Sequence, residues 1–267
     1  MRRSRVPLAA LAFGYAFLYT PIILLIVYSF NASRLVTVWA GFSPRWYGEL
    51  AHNAQILDAA WLSLRVAAVS ATLATLIGTL AALAIARSTR FPGRSVLLGL
   101  LAGPLVMPEV MLGLALLLLF VTLETTFGWP RRGAGTIVAA HATFSIAYVA
   151  VVVRAKLADM DRSLEEAAAD LGAPPLAVFL RITMPLVAPA LGAGWLLSFT
   201  LSLDDLVVAS FVSGPGATTL PMVVYSSVRL GVSPQINALA TILILTVALC
   251  VGTAAWLIGR RNQTVLH

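Results

Sequence analysis

Six separate apolar segments, each about as long as a membrane span, constrain this chain more than any other feature. They cover residues 8–30, 62–86, 95–121, 136–153, 186–211 and 236–259. A helix needs about 20 apolar residues to cross the hydrocarbon core of a bilayer. Of the 267 residues 60% are hydrophobic and only 11% are charged, whereas a soluble domain has about 25% charged residues. The sequence therefore predicts an all-α, polytopic membrane protein with six transmembrane helices in a single domain over residues 1–267.

The distribution of basic residues predicts the orientation of these spans. Two-thirds of the 18 basic residues lie in the two terminal tails and in the connections after the second and fourth spans. Connections rich in lysine and arginine stay on the cytoplasmic side of a membrane. Both termini are therefore expected in the cytoplasm, together with the connection 154–185. The net charge of +7 reflects this bias and does not indicate nucleic-acid binding.

The connection 154–185 has the pattern of two short helices joined by a tight bend. The Glu-Ala-Ala-Ala run that begins at Glu166 is a strong helix former. Gly172 is the residue type that ends a helix in a left-handed cap, and Pro174-Pro175 can begin the next one. The second helix would have an apolar side formed by Leu176, Val178, Phe179 and Ile182. A bent, polar-leaning pair of helices between two spans is suited to binding a partner outside the membrane.

Three acidic residues, Glu109, Asp204 and Asp205, lie inside predicted spans. Each ionised side chain at a helix centre opposes insertion by on the order of 2.5–3.5 kcal/mol. The spans contain no deeply placed basic partner, so a cationic substrate would offset this cost. Successive helix positions diverge by about 100°, so one of the adjacent aspartates would face the pathway while the other caps, pairs or meets another subunit. Protonated or serine-bonded carboxyls, or a proton relay, are the alternatives.

Several classes of chemistry have no support in the sequence. Cys250 is the lone cysteine, and His52, His141 and His267 have no metal-ligand spacing, so we interpret the histidines as isolated polar or interfacial residues. Lys156 is the lone lysine and follows no phosphate-binding glycine loop. We therefore expect no enzyme activity, no metal site and no cofactor in this chain. Any energy for active transport would come from a partner protein or an ion gradient.

The connection 154–185 also carries a recognisable motif. It consists of Glu166, Ala167, Ala168, Gly172, Ile182 and Pro185. This pattern resembles the Glu-Ala-Ala-…-Gly-…-Ile-x-Leu-Pro loop of ABC importer permeases. Met184 stands where that family usually has leucine, which is a volume-conserving exchange. By this resemblance the motif residues would form coupling helices that enter a groove on an ATPase.

Further segments resemble the polyamine branch of that family. They are 28–31, 36–41, 46–50, 104–109 and 202–207 with Pro221. The strongest similarity is to the second permease subunit of bacterial putrescine importers, followed by the spermidine counterpart. Glu109 stands where these relatives often have aspartate. The resemblance implies that Glu109, Asp204 and Asp205 belong to the substrate path.

The resemblance implies a type I ABC importer permease fold in the bacterial inner membrane, with cytoplasmic coupling helices. The expected partners are a second homologous permease subunit, two copies of a cytoplasmic ATPase that bind ATP and Mg, and a periplasmic polyamine-binding protein. The chain would form part of the path for putrescine or a related polyamine. An ABC permease for another small cationic or neutral solute is the first alternative. An ion-coupled secondary carrier and a structural membrane scaffold are the others.

Overall fold

The structure is a computed structural model that describes residues 5–35, 38–88, 90–231 and 233–264. Its helices are α1 Arg5–Tyr28, α2 Arg45–Ala51, α3 Ala54–Arg87, α4 Arg94–Val106, α5 Glu109–Phe127, α6 Ala134–Ala158, α7 Ser163–Asp170, α8 Pro175–Val178, α9 Met184–Asp204, α10 Val207–Val212, α11 Leu220–Leu230 and α12 Pro234–Thr264. A π-helical turn over Phe179–Thr183 joins α8 to α9. The described residues form no strand, and a single β-bridge pairs Asn31 with Phe42. The predicted all-α class is confirmed.

Within the described part of the chain, five helical stretches are long and apolar enough to cross a membrane. They are Ala10–Tyr28, Ala54–Arg87, Glu109–Phe127, Ala134–Ala158 and Pro175–Asp204. The sixth predicted span, 236–259, falls within α12, of which the apolar part Pro234–Leu249 is helical and described. These helices correspond to a polytopic membrane protein. Of the positions singled out in the sequence, residues 36 and 37 and His267 lie outside the described residues.

Two of the predicted spans differ from the observed helices. The stretch 95–121 is two helices and not one, because Met107 and Pro108 leave the helical conformation between α4 and α5. Proline disfavours a helical conformation in the residue before it, which fits the extended ψ of 137° at Met107. The stretch 186–211 also breaks, at Asp205, where ψ is 123°. The second short helix of the connection does not stop before the fifth span but continues through the π-helical turn into α9.

The chain divides into two compact units, which are described separately. One comprises Met1–Leu57 with Val224–His267, and the other comprises Asp58–Val223. The prediction of a single domain over residues 1–267 stays a prediction.

In the first unit, α12 packs against α1 and α2. The buried Asn31 organises the segment that follows α1: its amide donates to the carbonyl of Val38 at 2.7 Å and its side-chain oxygen accepts from the N–H of Ala40 at 2.9 Å. The indole of Trp46 donates to the Asn31 carbonyl at 2.6 Å, which fixes α2 against this segment. A buried polar side chain satisfied in this way specifies the conformation of the turn around it.

In the second unit, α6 lies centrally and has the highest proportion of buried residues among the spanning helices. One side of α6 packs with α3, α5 and α10, and the other packs with α3 and α9. The approach to α3 is close at Gly78, where an added side-chain carbon would lie 2.9 Å from the carbonyl oxygen of Ile146 and from Cβ of Val149. This packing holds the two helix breaks, at 107–108 and 205–206, in one unit.

Candidate functional site

The two helix breaks of the second unit border one cavity. It has a volume of about 250 Å³. Its lining includes Met107 from the first break with Pro104 from the last turn of α4, and Asp205 and Leu206 from the second break. Irregular backbone at membrane depth is tolerated where it is buried in protein or lines a cavity. The cavity is therefore a structural explanation for both breaks.

The three acids predicted from the sequence all line this cavity. Glu109 is the first residue of α5 and is exposed, and Asp204 is the last residue of α9 and is also exposed. A carboxylate at the first turn of a helix interacts favourably with the helix dipole, and Glu109 occupies that position in α5. Among the described residues, no basic side chain forms an ion pair with Glu109 or Asp204.

The rest of the cavity wall is apolar and aromatic. It includes Leu112, Phe144, Tyr148, Leu201 and Val208. Tyr148 thus contributes its ring to this wall, whereas two other aromatic residues of the spans, Trp195 and Phe199, stack on each other at 5.2 Å between centroids. Carboxylates combined with an apolar wall can receive a cation that also carries a hydrocarbon portion.

Asp205 differs from the other two acids because other groups already bond to its carboxylate. Its Oδ2 accepts the N–H of Ala209 at 2.7 Å, and its Oδ1 accepts the N–H of Val208 at 3.3 Å. These bonds cap the N-terminus of α10. Oδ2 also lies 3.1 Å from Nε2 of His141. Asp205 therefore caps α10 and pairs with His141. Its neighbour Asp204 faces the cavity.

His141 is a functional candidate that the sequence does not reveal. Its interpretation as an isolated polar residue is wrong, because it is completely buried and bonds on both sides of its ring. Its Nδ1 lies 2.6 Å from the hydroxyl of Ser202, which lies 3.1 Å from the hydroxyl of Ser70. The one signal in the sequence that could have identified His141 is its position inside an apolar span, where an ionisable residue needs a partner.

The connection between α6 and α9 has the predicted bend. Gly172 has φ +81°, the N–H of Gly172 bonds to the carbonyl of Ala169 at 2.9 Å, and the N–H of Ala173 bonds to that of Ala168 at 3.0 Å. This bond pair is a Schellman cap. Pro175 then begins α8, as predicted. The local chemistry of these residues is sufficient to form the bend.

The remaining motif residues lie on or near the surface of this bend. Glu166 and Ala167 are exposed in α7, Ala168 and Ile182 are partly buried, and Pro185 is exposed at the start of α9. Three large apolar side chains beside them are also exposed, namely Leu171 at 89%, Leu176 at 68% and Leu180 at 54%. An apolar, exposed group of this kind on a rigid bend indicates a protein-binding surface.

Glu165, beside the motif, ties the bend to two spanning helices. Its carboxylate forms an ion pair with Arg87 at the end of α3 and accepts a hydrogen bond from the hydroxyl of Thr183. Arg162 adds a second link, donating to the carbonyl of Ala86 at 2.9 Å. From the sequence Glu165 is one of several loop acids, because its partner Arg87 is distant along the chain.

Helices that break around an acid-lined cavity, together with a bend tied to the ends of α3 and α9, are the features expected of a membrane transport subunit. The family model described as "Binding-protein-dependent transport system inner membrane component" matches residues 74–263. The chain belongs to this family. It is therefore a multi-pass inner-membrane permease subunit of an ABC importer, a system that also includes a partner permease, an ATPase and a binding protein, and it is not an enzyme.

Curated relatives are similar over almost the whole chain. The putrescine transport system permease protein PotI of Escherichia coli (strain K12) is 56% identical, covering 98% of this chain and 93% of the relative. The spermidine/putrescine transport system permease protein PotC of the same strain is 46% identical, covering 92% and 90%. PotC of Haemophilus influenzae is 42% identical, covering 93% and 94%.

Solved structures agree with this fold. A chain of a bacterial ABC transporter involved in the import of the acidic polysaccharide alginate superposes with a TM-score of 0.75 at 19% identity, covering 96% of this chain and 98% of that one. A chain of an amino acid ABC transporter with histidines gives a TM-score of 0.57 at 20% identity, covering 81% and 98%. At these identities the likeness establishes the ABC permease fold alone.

Proposed function

We propose that this chain forms part of the path by which an ATP-driven importer carries putrescine or a closely related polyamine across the inner membrane. The observation that carries the proposal is the single cavity lined by Glu109, Asp204 and Asp205 with an apolar and aromatic wall. Putrescine is a dication with a four-carbon stem, so it matches both parts of this wall. The 56% and 46% identical relatives are a putrescine and a spermidine/putrescine permease, which supports the same substrate class.

The motif Glu166, Ala167, Ala168, Gly172, Ile182 and Pro185 supplies the coupling surface in this proposal. The exposed face of the bend enters a groove on a cytoplasmic ATPase, of which the complex holds two copies. ATP and Mg bind to those copies and not to this chain. When the ATPase pair closes, it pulls on the bend, and α3 and α9 follow through Glu165, Arg87 and Thr183.

The orientation of this chain in the membrane and the remaining partners of the complex are part of the same proposal. Both termini and the connection 154–185 lie in the cytoplasm, as the distribution of basic residues favours. A second, homologous permease subunit completes the path, and a periplasmic polyamine-binding protein delivers the substrate. Opening on the periplasmic side receives the polyamine, and ATP hydrolysis returns the path to its inward-facing state.

The test is uptake of radiolabelled putrescine and spermidine by the complete complex reconstituted in liposomes. We expect uptake that requires ATP and the binding protein, and unlabelled putrescine should compete better than a neutral amino acid or a sugar. Uptake of an unrelated solute with no competition by either polyamine would overturn the proposal. ATP-independent uptake by this chain alone would favour the secondary carrier instead.

A further inference from the structure

A buried chain of polar side chains runs from α3 through α6 to the break after α9. It consists of Ser70, Ser202, His141 and Asp205, linked at 3.1, 2.6 and 3.1 Å. Ser70 and His141 are completely buried, and Ser202 and the side chain of Asp205 are almost so. Such networks are costly unless every member has a partner. Here every member has one, so the arrangement defines a specific geometry.

The donors in this chain can be assigned by counting hydrogens. The carboxylate of Asp205 only accepts, so Nε2 of His141 donates to it. In the neutral imidazole Nδ1 then accepts from the hydroxyl of Ser202, whose oxygen accepts from Ser70. The hydroxyl of Ser70 has one hydrogen and two acceptors, the oxygen of Ser202 at 3.1 Å and the carbonyl of Ala67 at 3.2 Å. With the bond to Ser202 made, all four groups are satisfied in this direction. The network therefore selects one tautomer of His141 and aims its N–H at Oδ2 of Asp205.

Three donors converge on the carboxylate of Asp205. They are the N–H groups of Val208 and Ala209 at 3.3 and 2.7 Å, and Nε2 of His141 at 3.1 Å. The break after α9 contains no proline at 205 or 206, and the bonds from Val208 and Ala209 to Asp205 tie the first turn of α10 to the residue at the break. Asp204 is the residue before the break and is exposed to the cavity.

We propose that His141 is a positioning residue for transport, which fixes Asp205 as the cap of α10 so that Asp204, and not Asp205, receives the cation. This inference rests on the proposed polyamine function and divides the roles of two adjacent acids within it. Asp205 shapes the path, whereas Asp204 contributes its charge to the cation. The apparent affinity for substrate should then depend on the charge at 204, and the transport rate on the hydrogen bonds at 205.

Asparagine substitutions separate these roles, because asparagine caps a helix about as well as aspartate but has no charge. In Asp205→Asn the amide oxygen can keep the bonds from Ala209 and His141, and only the longer bond from Val208 is lost. We expect the KM for radiolabelled putrescine to stay within about twofold of wild type, with a Vmax lowered by no more than about threefold. Asp204→Asn should raise KM about tenfold or more, since it removes a charge that pairs with an ammonium group.

Substitutions that remove the bonds complete the test. Asp205→Ala and His141→Leu should each lower Vmax about tenfold, and the double variant should be little worse than either single one. His141→Gln keeps an N–H donor and should recover part of the Vmax. Co-purification with the partner permease and the ATPase reports assembly. If the alanine or leucine variant fails to assemble, the Asp205→Asn and His141→Gln complexes decide the question.

The outcomes distinguish this inference from the proposed function. A wild-type complex that imports no polyamine overturns both. A wild-type complex that imports putrescine, together with an Asp205→Asn variant whose KM rises as much as that of Asp204→Asn, overturns only the assignment of Asp205 and His141. Additive losses in the double variant would also overturn it.

Discussion

Arg87, the last residue of α3, forms an ion pair with Glu165 in α7. The same carboxylate accepts a hydrogen bond from the hydroxyl of Thr183, the residue before α9. One partly buried side chain therefore joins the bend to the ends of two spanning helices. α9 ends at Asp204, beside the cavity, and α3 carries Ser70 of the buried network. A displacement of the bend would thus reach the cavity through covalently continuous helices.

Breaking this junction should uncouple transport from ATP hydrolysis. In Glu165→Gln the ion pair with Arg87 is lost, and we expect uptake of putrescine per ATP hydrolysed to fall several-fold while the ATPase remains bound. An exposed or partly exposed ion pair contributes up to about 1 kcal/mol, so the complex should still fold. The exchange Arg87→Glu with Glu165→Arg restores opposite charges and should recover part of the coupling. If the exchange variant lost as much uptake per ATP as Arg87→Glu and Glu165→Arg lose together, the role of this ion pair in coupling would be contradicted.

Glu166 should act at the ATPase surface and not on substrate choice. The side chain of Glu166 is exposed in α7. Truncating one partner of a charge pair buried at an interface costs about 2–5 kcal/mol, so Glu166→Ala is expected to reduce polyamine-stimulated ATPase activity by about 30-fold or more. The ratio of putrescine to spermidine uptake should not change. Asp159→Ala, an exposed acid just after α6, is the matched control and should behave as wild type. A changed ratio of putrescine to spermidine uptake in Glu166→Ala would contradict a role of Glu166 that is confined to the ATPase surface.

Glu109 should set part of the apparent affinity for polyamine. Glu109→Gln keeps the size of the side chain and removes its charge, so KM for putrescine should rise about tenfold. Glu109→Asp should alter the ratio of putrescine to spermidine uptake, because the shorter side chain moves the charge. Glu124 is in the same helix but forms an ion pair with Arg132 at 4.0 Å and does not line the cavity. Glu124→Gln is therefore the control and should leave the KM for putrescine unchanged. If Glu109→Gln and Glu124→Gln raised KM equally, a direct contact between Glu109 and the polyamine would be contradicted.

Gly78 should be intolerant of any side chain. A methyl group there would meet backbone and Cβ atoms of α6 at 2.9 Å, so Gly78→Ala must separate two packed helices, at a cost of about 1–3 kcal/mol. Gly99→Ala, in α4 with no atom within 4 Å of the added carbon, is the control. It should be neutral or stabilise by up to about 1 kcal/mol. Thermal unfolding of the purified complexes in detergent measures both, and a Gly78→Ala complex as stable as wild type would contradict the close approach.

The features that can be predicted from the sequence are those determined by neighbouring residues. Gly172 and Pro175 define a helix end and a helix start through their own backbone preferences, so the bend is predictable. The break at Met107-Pro108 is also a local feature, because proline disfavours a helical conformation in the residue before it, and the irregular backbone expected from Gly103, Pro104 and Pro108 is found at 107–108. The three acids are identifiable because charge at membrane depth needs an explanation.

The features that the sequence does not predict depend on distant partners. The break at Asp205 contains no helix-breaking residue, and its geometry follows from the cap of α10 and the bond to His141. His141 and Asp205 are far apart along the chain, as are Arg87 and Glu165, so neither pair has a local signature. Such pairings become visible only when the packing of α3, α6 and α9 is known.

The exposed leucines of the bend have a consequence for how this protein is made in the cell. Leu171, Leu176 and Leu180 are exposed in the isolated subunit. A newly inserted copy without its ATPase would offer the same side chains that chaperones and membrane proteases recognise on unfinished proteins. Removal of such unpartnered copies would keep the two gene products in balance, so the surface that transmits force would also govern the abundance of the subunit.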